Sequence, residues 1–171
     1  PLCLVGSEMC IRDSIKKGLK NFKGVQRRFN KIFTFNGVDF YDDYAHHPTE
    51  IKSVLEGVKK VFDKCEKVCV FQPHRISRLK DLRNEFTHCF RDADTIILCP
   101  IFTAGEKIKL GFHYNDFAKE IIKNSKVKLF MIKNNIELAK FLKQNIYGNK
   151  IVIGMGAGTI SNWMKKLPEL M

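Results

Sequence analysis

Apolar positions along the chain recur at two intervals, and their alternation outlines a fold. Ile32-Phe33-Thr34-Phe35 and Val38-Asp39-Phe40-Tyr41 read as strands on either side of Asn36-Gly37, the dipeptide best suited to a two-residue hairpin. Ile51, Val54, Leu55, Val58 and Phe62 then fall at the helical interval. Lys67 to Phe71 is a compact apolar strand, and the spacing of Leu79, Leu82, Phe86 and Phe90 predicts a helix after it. Further strands are predicted over Thr95 to Cys99, Val127 to Met131 and Ile151 to Ile153, alternating with helical patterns at Phe117 to Ile122, Ile136 to Leu142 and Thr159 to Lys166. Such alternation implies parallel strands joined by right-handed crossovers, with helices on both faces. The expected fold is α/β: a Rossmann-like three-layer sandwich whose mostly parallel sheet begins with an antiparallel hairpin strand.

Between the hairpin and the first helix lies Asp42-Asp43-Tyr44-Ala45-His46-His47-Pro48-Thr49-Glu50, a strand-to-helix turn. In an open α/β sheet, ligands sit beyond the carboxyl ends of the strands, and this turn brings two carboxylates, a phenol and two imidazoles to that edge. Pro48 suits the first helical position, and Glu50 places a negative charge at the positive end of the helix dipole. Capping accounts for single polar residues here. Two adjacent histidines behind two aspartates exceed that need and mark a candidate site. Polar turns recur at Gln72 to Arg78 and at Thr103 to Glu106, so Asp43, His46, His74, Arg75, Arg78 and Glu106 are expected to converge on one sheet edge.

A chain of 171 residues can bury one substantial core, and its net charge of +12 points to an anionic partner without choosing among nucleic acid, acidic membrane and phosphorylated small molecule. Lysine is spread along the whole length, as on a solvated surface, whereas arginine is concentrated at Arg27-Arg28, Arg75, Arg78, Arg83 and Arg91. Cations at a helix start oppose the dipole, so His74-Arg75-x-x-Arg78 is better explained by an anion that it holds. The 6 cysteines form no C-x-x-C pair, and Cys69 and Cys99 lie in apolar runs, which fits reduced thiols in a cytoplasmic setting. No apolar run approaches the ~20 residues of a membrane-spanning helix.

Gly154-Met155-Gly156-Ala157-Gly158 resembles part of a dinucleotide fingerprint, but it follows the last strand and lacks the complete spacing, so it is read as a tight turn. No G-x-x-x-x-G-K-[ST] phosphate loop occurs. Adjacent side chains at Asp42-Asp43 and His46-His47 project in different directions, and no second ligand cluster supports a metal, so none is assigned.

Arg27-Arg28-Phe29, the Asp42 to Glu50 turn, Phe71-Gln72-Pro73-His74-Arg75-Ile76-Ser77-Arg78 and Ala104-Gly105-Glu106, in this order, resemble the C-terminal domain of bacterial Mur ligases. The narrower His-His-Pro-Thr-Glu and Gln-Pro-His-Arg combination resembles the UDP-N-acetylmuramate:L-alanine branch. The murein-peptide recycling ligases match the first motif but usually lack the second. The resemblance runs from about Ile15 to the C-terminus. It implies an enzyme that uses ATP and Mg2+ to turn the carboxylate of UDP-N-acetylmuramate into an acyl phosphate, which L-alanine then attacks, in peptidoglycan precursor synthesis. Arg28 and Asp43 would contact the nucleotide, with Asp43 and His46 serving catalysis. Tyr44, His46, His74, Arg75 and Arg78 would line the amino-acid and phosphate side. Residues 31–171 are then expected to be the C-terminal domain and 15–30 the end of a preceding domain with its linker. The segment 1–14 has no clean period and is expected to be adapter-derived. The UDP-sugar domain and the ATP-binding domain with its phosphate loop and metal ligands would belong to the rest of the polypeptide, leaving this chain inactive alone. A free-standing basic module for nucleotide or nucleic acid remains the reading from a different class.

Overall fold

The computed structural model describes residues 13–17, 25–106 and 113–171. Residues 1–12 of the segment expected to be adapter-derived lie outside these residues; 13–17 form a helical turn. Strands β1 (Asn30–Phe35) and β2 (Val38–Asp43) pair antiparallel through a turn in which Asn36 and Gly37 have φ of 49° and 76°. Both central residues are left-handed, as the favoured hairpin turn requires. Strands β3 (Glu66–Phe71), β4 (Thr95–Leu98), β5 (Lys128–Met131) and β6 (Lys150–Met155) complete a sheet of order β1-β2-β6-β3-β4-β5, parallel everywhere except at the hairpin. The expected sandwich is the observed one.

Period-two alternation sorts the strand side chains into two cores. Cys69, Phe71, Ile96, Leu98, Ile151 and Ile153 face helices α1 (Pro48–Val61), α2 (Ile76–Asp81), α3 (Arg83–His88) and α4 (Tyr114–Ser125), burying Leu55, Leu79, Phe86 and Phe117. Val68, Val70, Ile97 and Val152 face α5 (Asn135–Asn145) and α6 (Ile160–Leu170), burying Leu138, Leu142, Met164 and Leu167. Helices α1 to α4 thus cover one face and α5 and α6 the other, because the strand order turns back after β5 and inserts β6 between β2 and β3.

One helical expectation needs correcting. The segment around Leu79 to Phe90 is two short helices, broken where Leu82 adopts φ −112° and ψ 28°. The bonds Leu82 N to Arg78 O and Phe86 N to Leu82 O bridge the break, so the apolar period survives and conceals it. Cys65, Cys69, Cys89 and Cys99 are free thiols, and burial pushes those of Cys69, Cys89 and Cys99 up, making them inert. Among the described residues no helix is long and apolar enough to cross a membrane.

Candidate functional site

Because β2, β6, β3 and β4 are parallel, their carboxyl ends open on one edge. Asp43 closes β2. Its carboxylate accepts Phe29 N at 2.8 Å and Ala45 N at 2.7 Å, so it clamps the incoming segment to the turn. Burial raises its carboxyl above the ordinary value, and the two amides and Arg28 pull the other way. Asp42 is also buried. It accepts Ser161 Oγ at 2.5 Å and stands 3.8 Å from Arg27 Nε.

The two histidines of the turn separate in role. His47 is the N-cap of α1: its Nδ1 accepts Thr49 N at 3.4 Å, while Glu50 accepts the His46 and His47 amides at 3.1 and 3.2 Å. Capping therefore accounts for His47 after all, correcting the expectation that both rings exceeded that need. His46 Nδ1 lies 3.0 Å from Tyr44 O and 3.3 Å from Glu50 Oε2. Both neighbours only accept, so the proton resides on Nδ1 and Nε2 is left with its lone pair when the ring is neutral.

Across the edge, the His46 and His74 rings lie 5.8 Å apart, with Tyr44 5.0 Å beyond His46 and Phe102 stacked 5.6 Å from His74. Arg78 Nη1 donates to His74 Nδ1 at 3.3 Å. A guanidinium cannot accept, so His74 is the Nε2–H tautomer. The pair therefore offers one acceptor, on His46, and one donor, on His74.

Partial burial, followed by the charges of Arg78, His46 and Arg75, pushes His74 below the ordinary imidazole value of 6.5. As pH falls through 6.5 the unfolded chain takes up a proton that the folded state resists, so this residue makes stability decline with acidity until its folded value is passed. Denaturant midpoints between pH 7 and pH 5 should show a shallower acid-side loss in His74→Gln than in the wild type. Equal slopes would contradict the assignment.

A carboxylate of the chain itself lies at the start of α2. Glu106 accepts Ile76 N at 2.8 Å, Ser77 N at 3.0 Å and Ser77 Oγ at 2.6 Å, and these bonds with the nearby Arg75 charge hold its carboxyl below the usual range. Arg75 is exposed, with φ 68° and its amide bonded to Phe102 O at 2.9 Å. Arg28 is exposed too. The structure thus brings Tyr44, His46, His74 and Arg78 into one row, with Asp43 beneath, Arg28 and Arg75 facing solvent, and Glu106 spent as a cap.

The glycine run after β6 is a packing turn, as its position implied. Gln72 Oε1 accepts Ile160 N at 2.9 Å, and a Cβ on Gly158 would stand 2.6 Å from that oxygen and 2.7 Å from Phe102. Among the described residues no group of three His, Cys, Asp or Glu side chains is placed to share a metal ion, and each Asp43 oxygen accepts a backbone amide.

The family described as Mur ligase, glutamate ligase domain, matches residues 27–158. The chain belongs to this family. The Mur ligase domain is 68% identical over 157 residues to UDP-N-acetylmuramate–L-alanine ligase of Pelagibacter ubique, an alignment covering 92% of the chain and 34% of that protein. The chain spans about a third of the length of the curated relatives it matches. Among solved structures, UDP-N-acetylmuramate-alanine ligase of Thermotoga maritima superposes with a TM-score of 0.69 at 25% identity, over 94% of this chain and 35% of that one. A murein peptide ligase of Psychrobacter arcticus gives 0.72 at 18% identity, over 90% and 32%, a likeness of fold.

Ser161 and Phe102 carried no signal in the sequence, and Arg27, Asp42 and Gln72 stood in its motifs without a role of their own. Arg27, Asp42, Ser161, Gln72 and Phe102 enter through contacts spanning up to 129 residues, which leave no local period. A concavity of about 810 Å³ lies at the opposite ends of the strands, beside Glu66, Asp94 and Lys128. Its acids are already paired, Glu66 with Lys150 at 2.6 Å and Asp94 with Lys67 at 3.6 Å.

Proposed function

We propose that this domain binds L-alanine and contacts ATP in a cytoplasmic ligase that joins L-alanine to UDP-N-acetylmuramate for peptidoglycan precursor synthesis. The observation that carries the reading is 68% identity, across 92% of the chain, to a ligase of that name. In this reading residues 31–171 form the C-terminal domain, 15–30 are the end of a preceding domain and linker, and 1–14 are foreign to both. The remaining domains of the same polypeptide would supply the phosphate loop, the magnesium ligands and the UDP-sugar site. ATP, when bound, activates the muramyl carboxylate as an acyl phosphate.

The chain's own residues then have separable tasks. The His74 Nε2–H, Arg78 and Arg75 offer donors to the alanine carboxylate, and Tyr44 forms one wall. His46 Nε2 accepts from the alanine ammonium and can take the proton that it must lose before it attacks. Asp43, through its bonds to Phe29 and Ala45, fixes the linker against the turn, so that the exposed Arg28 meets the nucleotide phosphates when the domains close.

Purified alone, the domain should fold, since it has cores on both sheet faces, yet release no ADP from ATP and ligate no alanine. A coupled ADP assay checks this, and robust ligation by the chain alone would sink the assignment of phosphate chemistry to the other domains. Short RNA bound tightly, with steep salt dependence, would favour the basic-module reading instead.

A further inference from the structure

We propose that Arg27 is a positioning residue for the amino-acid pocket, holding the Tyr44 ring and tying the incoming segment to the sheet edge on which His46 and His74 stand. The inference rests on the reading of Tyr44, His46, His74, Arg75 and Arg78 as that pocket. Arg27 touches the turn through both backbone and side chain. Its carbonyl accepts Tyr44 N at 2.8 Å, and its guanidinium carbon lies 4.6 Å from the centre of the Tyr44 ring. Nη2 donates to Gly156 O at 2.5 Å, linking the incoming segment to the turn after β6.

Two further observations separate this arrangement from an ordinary ion pair. Arg27 Nε and Asp42 Oδ1 are buried and lack hydrogen-bond partners, although Nε stands only 3.8 Å from the other Asp42 oxygen. An arginine serving charge pairing alone would close a two-pronged fork on that carboxylate. Here the fork is divided, one arm going to Gly156 and the face to Tyr44. The backbone is strained in the same place: Arg27 and Phe29 have φ of 58° and 49°, left-handed values that non-glycine residues adopt only where the surroundings impose them. Phe29 is imposed by its amide bond to Asp43 and by its ring stacked 4.3 Å from Tyr41. Arg27 is imposed by Tyr44 and Gly156.

The consequence is a continuous row from the incoming segment to the pocket: Arg27, Tyr44, His46, His74, Phe102. Tyr44 is 37% exposed, so the contacts with Arg27 and His46 constrain a ring that solvent would otherwise leave free. Holding that wall in place affects a substrate too small to order it by its own contacts.

A double-mutant cycle in the full-length ligase carrying this domain tests the proposal. Arg27→Ala should raise the Michaelis constant for L-alanine about three- to tenfold, the scale of losing one cation–π contact and one hydrogen bond, with the constants for ATP and UDP-N-acetylmuramate unchanged. Arg27→Lys should fall between, because it keeps the charge and loses the planar fork. In a Tyr44→Ala background Arg27→Ala should add less than about twofold, because the ring it holds is gone. Equal effects in both backgrounds, or a shift in the ATP constant instead, would overturn the assignment. If Arg27→Ala fails to fold, the same cycle is read with Arg27→Lys. Wild-type enzyme that ligates another amine and not L-alanine would refute the substrate reading alone, and the cycle measured on that amine would still decide the role of Arg27.

Discussion

Arg78→Ala, in the full-length ligase, should raise the Michaelis constant for L-alanine roughly ten- to a hundredfold while leaving ATP and UDP-sugar constants near their wild-type values. Alanine presents little apolar area, so its carboxylate must carry much of the recognition, and a charge-assisted hydrogen bond contributes about 1.5–3 kcal/mol. Arg78 is partly buried one turn into α2, and its bond to His74 Nδ1 gives it a second task. Without that donor the imidazole is free to move its proton to Nδ1, removing the Nε2–H from the pocket. Arg78→Lys should recover only part of the loss, since a point charge cannot serve both His74 and a carboxylate as a planar fork does. An unchanged alanine constant, with ATP use impaired instead, would move Arg78 to the phosphate side of the cleft.

Gly156→Ala should be the most damaging glycine substitution at the sheet edge, by about 3 kcal/mol, combining overpacking of ~1–3 with backbone strain of ~1–3. Its φ is 148°, and a Cβ there would stand 2.7 Å from the backbone oxygen of Gln72, which cannot move without disturbing β3. For a domain of this size the loss lowers the melting temperature by about 6–12 °C. Gly158→Ala meets side-chain atoms of Gln72 and Phe102 and should cost less, although it pushes on the ring stacked against His74. Gly57, inside α1, is the control: a methyl group there would have nothing within 4 Å, so alanine should be neutral or stabilising by up to ~1 kcal/mol. Thermal melts of the three variants check the order, and a Gly156→Ala protein as stable as the Gly57→Ala one would contradict the packing described.

The layers were legible in the sequence because each strand residue alternates between two cores, and each helix places its apolar residues at one interval. Val68 and Cys69 face opposite sides, as do Ile96 and Ile97. What stayed hidden depends on contacts across the fold. Glu106 and His47 both carry chemistry suited to catalysis, but the structure uses each to satisfy amides at a helix start, a demand seen only once the partners are placed. The break at Leu82 left no trace because the bonds on either side preserve the period. Arg27 read as half of a basic pair; its grip on Tyr44 and Gly156 depends on a left-handed backbone that no residue type at that position announces.

The most direct test is a measurement of ADP release by the full-length polypeptide carrying this domain, given ATP, Mg2+ and UDP-N-acetylmuramate, with the amine substrate varied. L-alanine should drive turnover, a murein peptide should not, and His46→Gln should abolish most of the alanine-dependent rate without weakening nucleotide binding. Turnover with the murein peptide and none with L-alanine would contradict the reading and assign the domain to the recycling branch of the family.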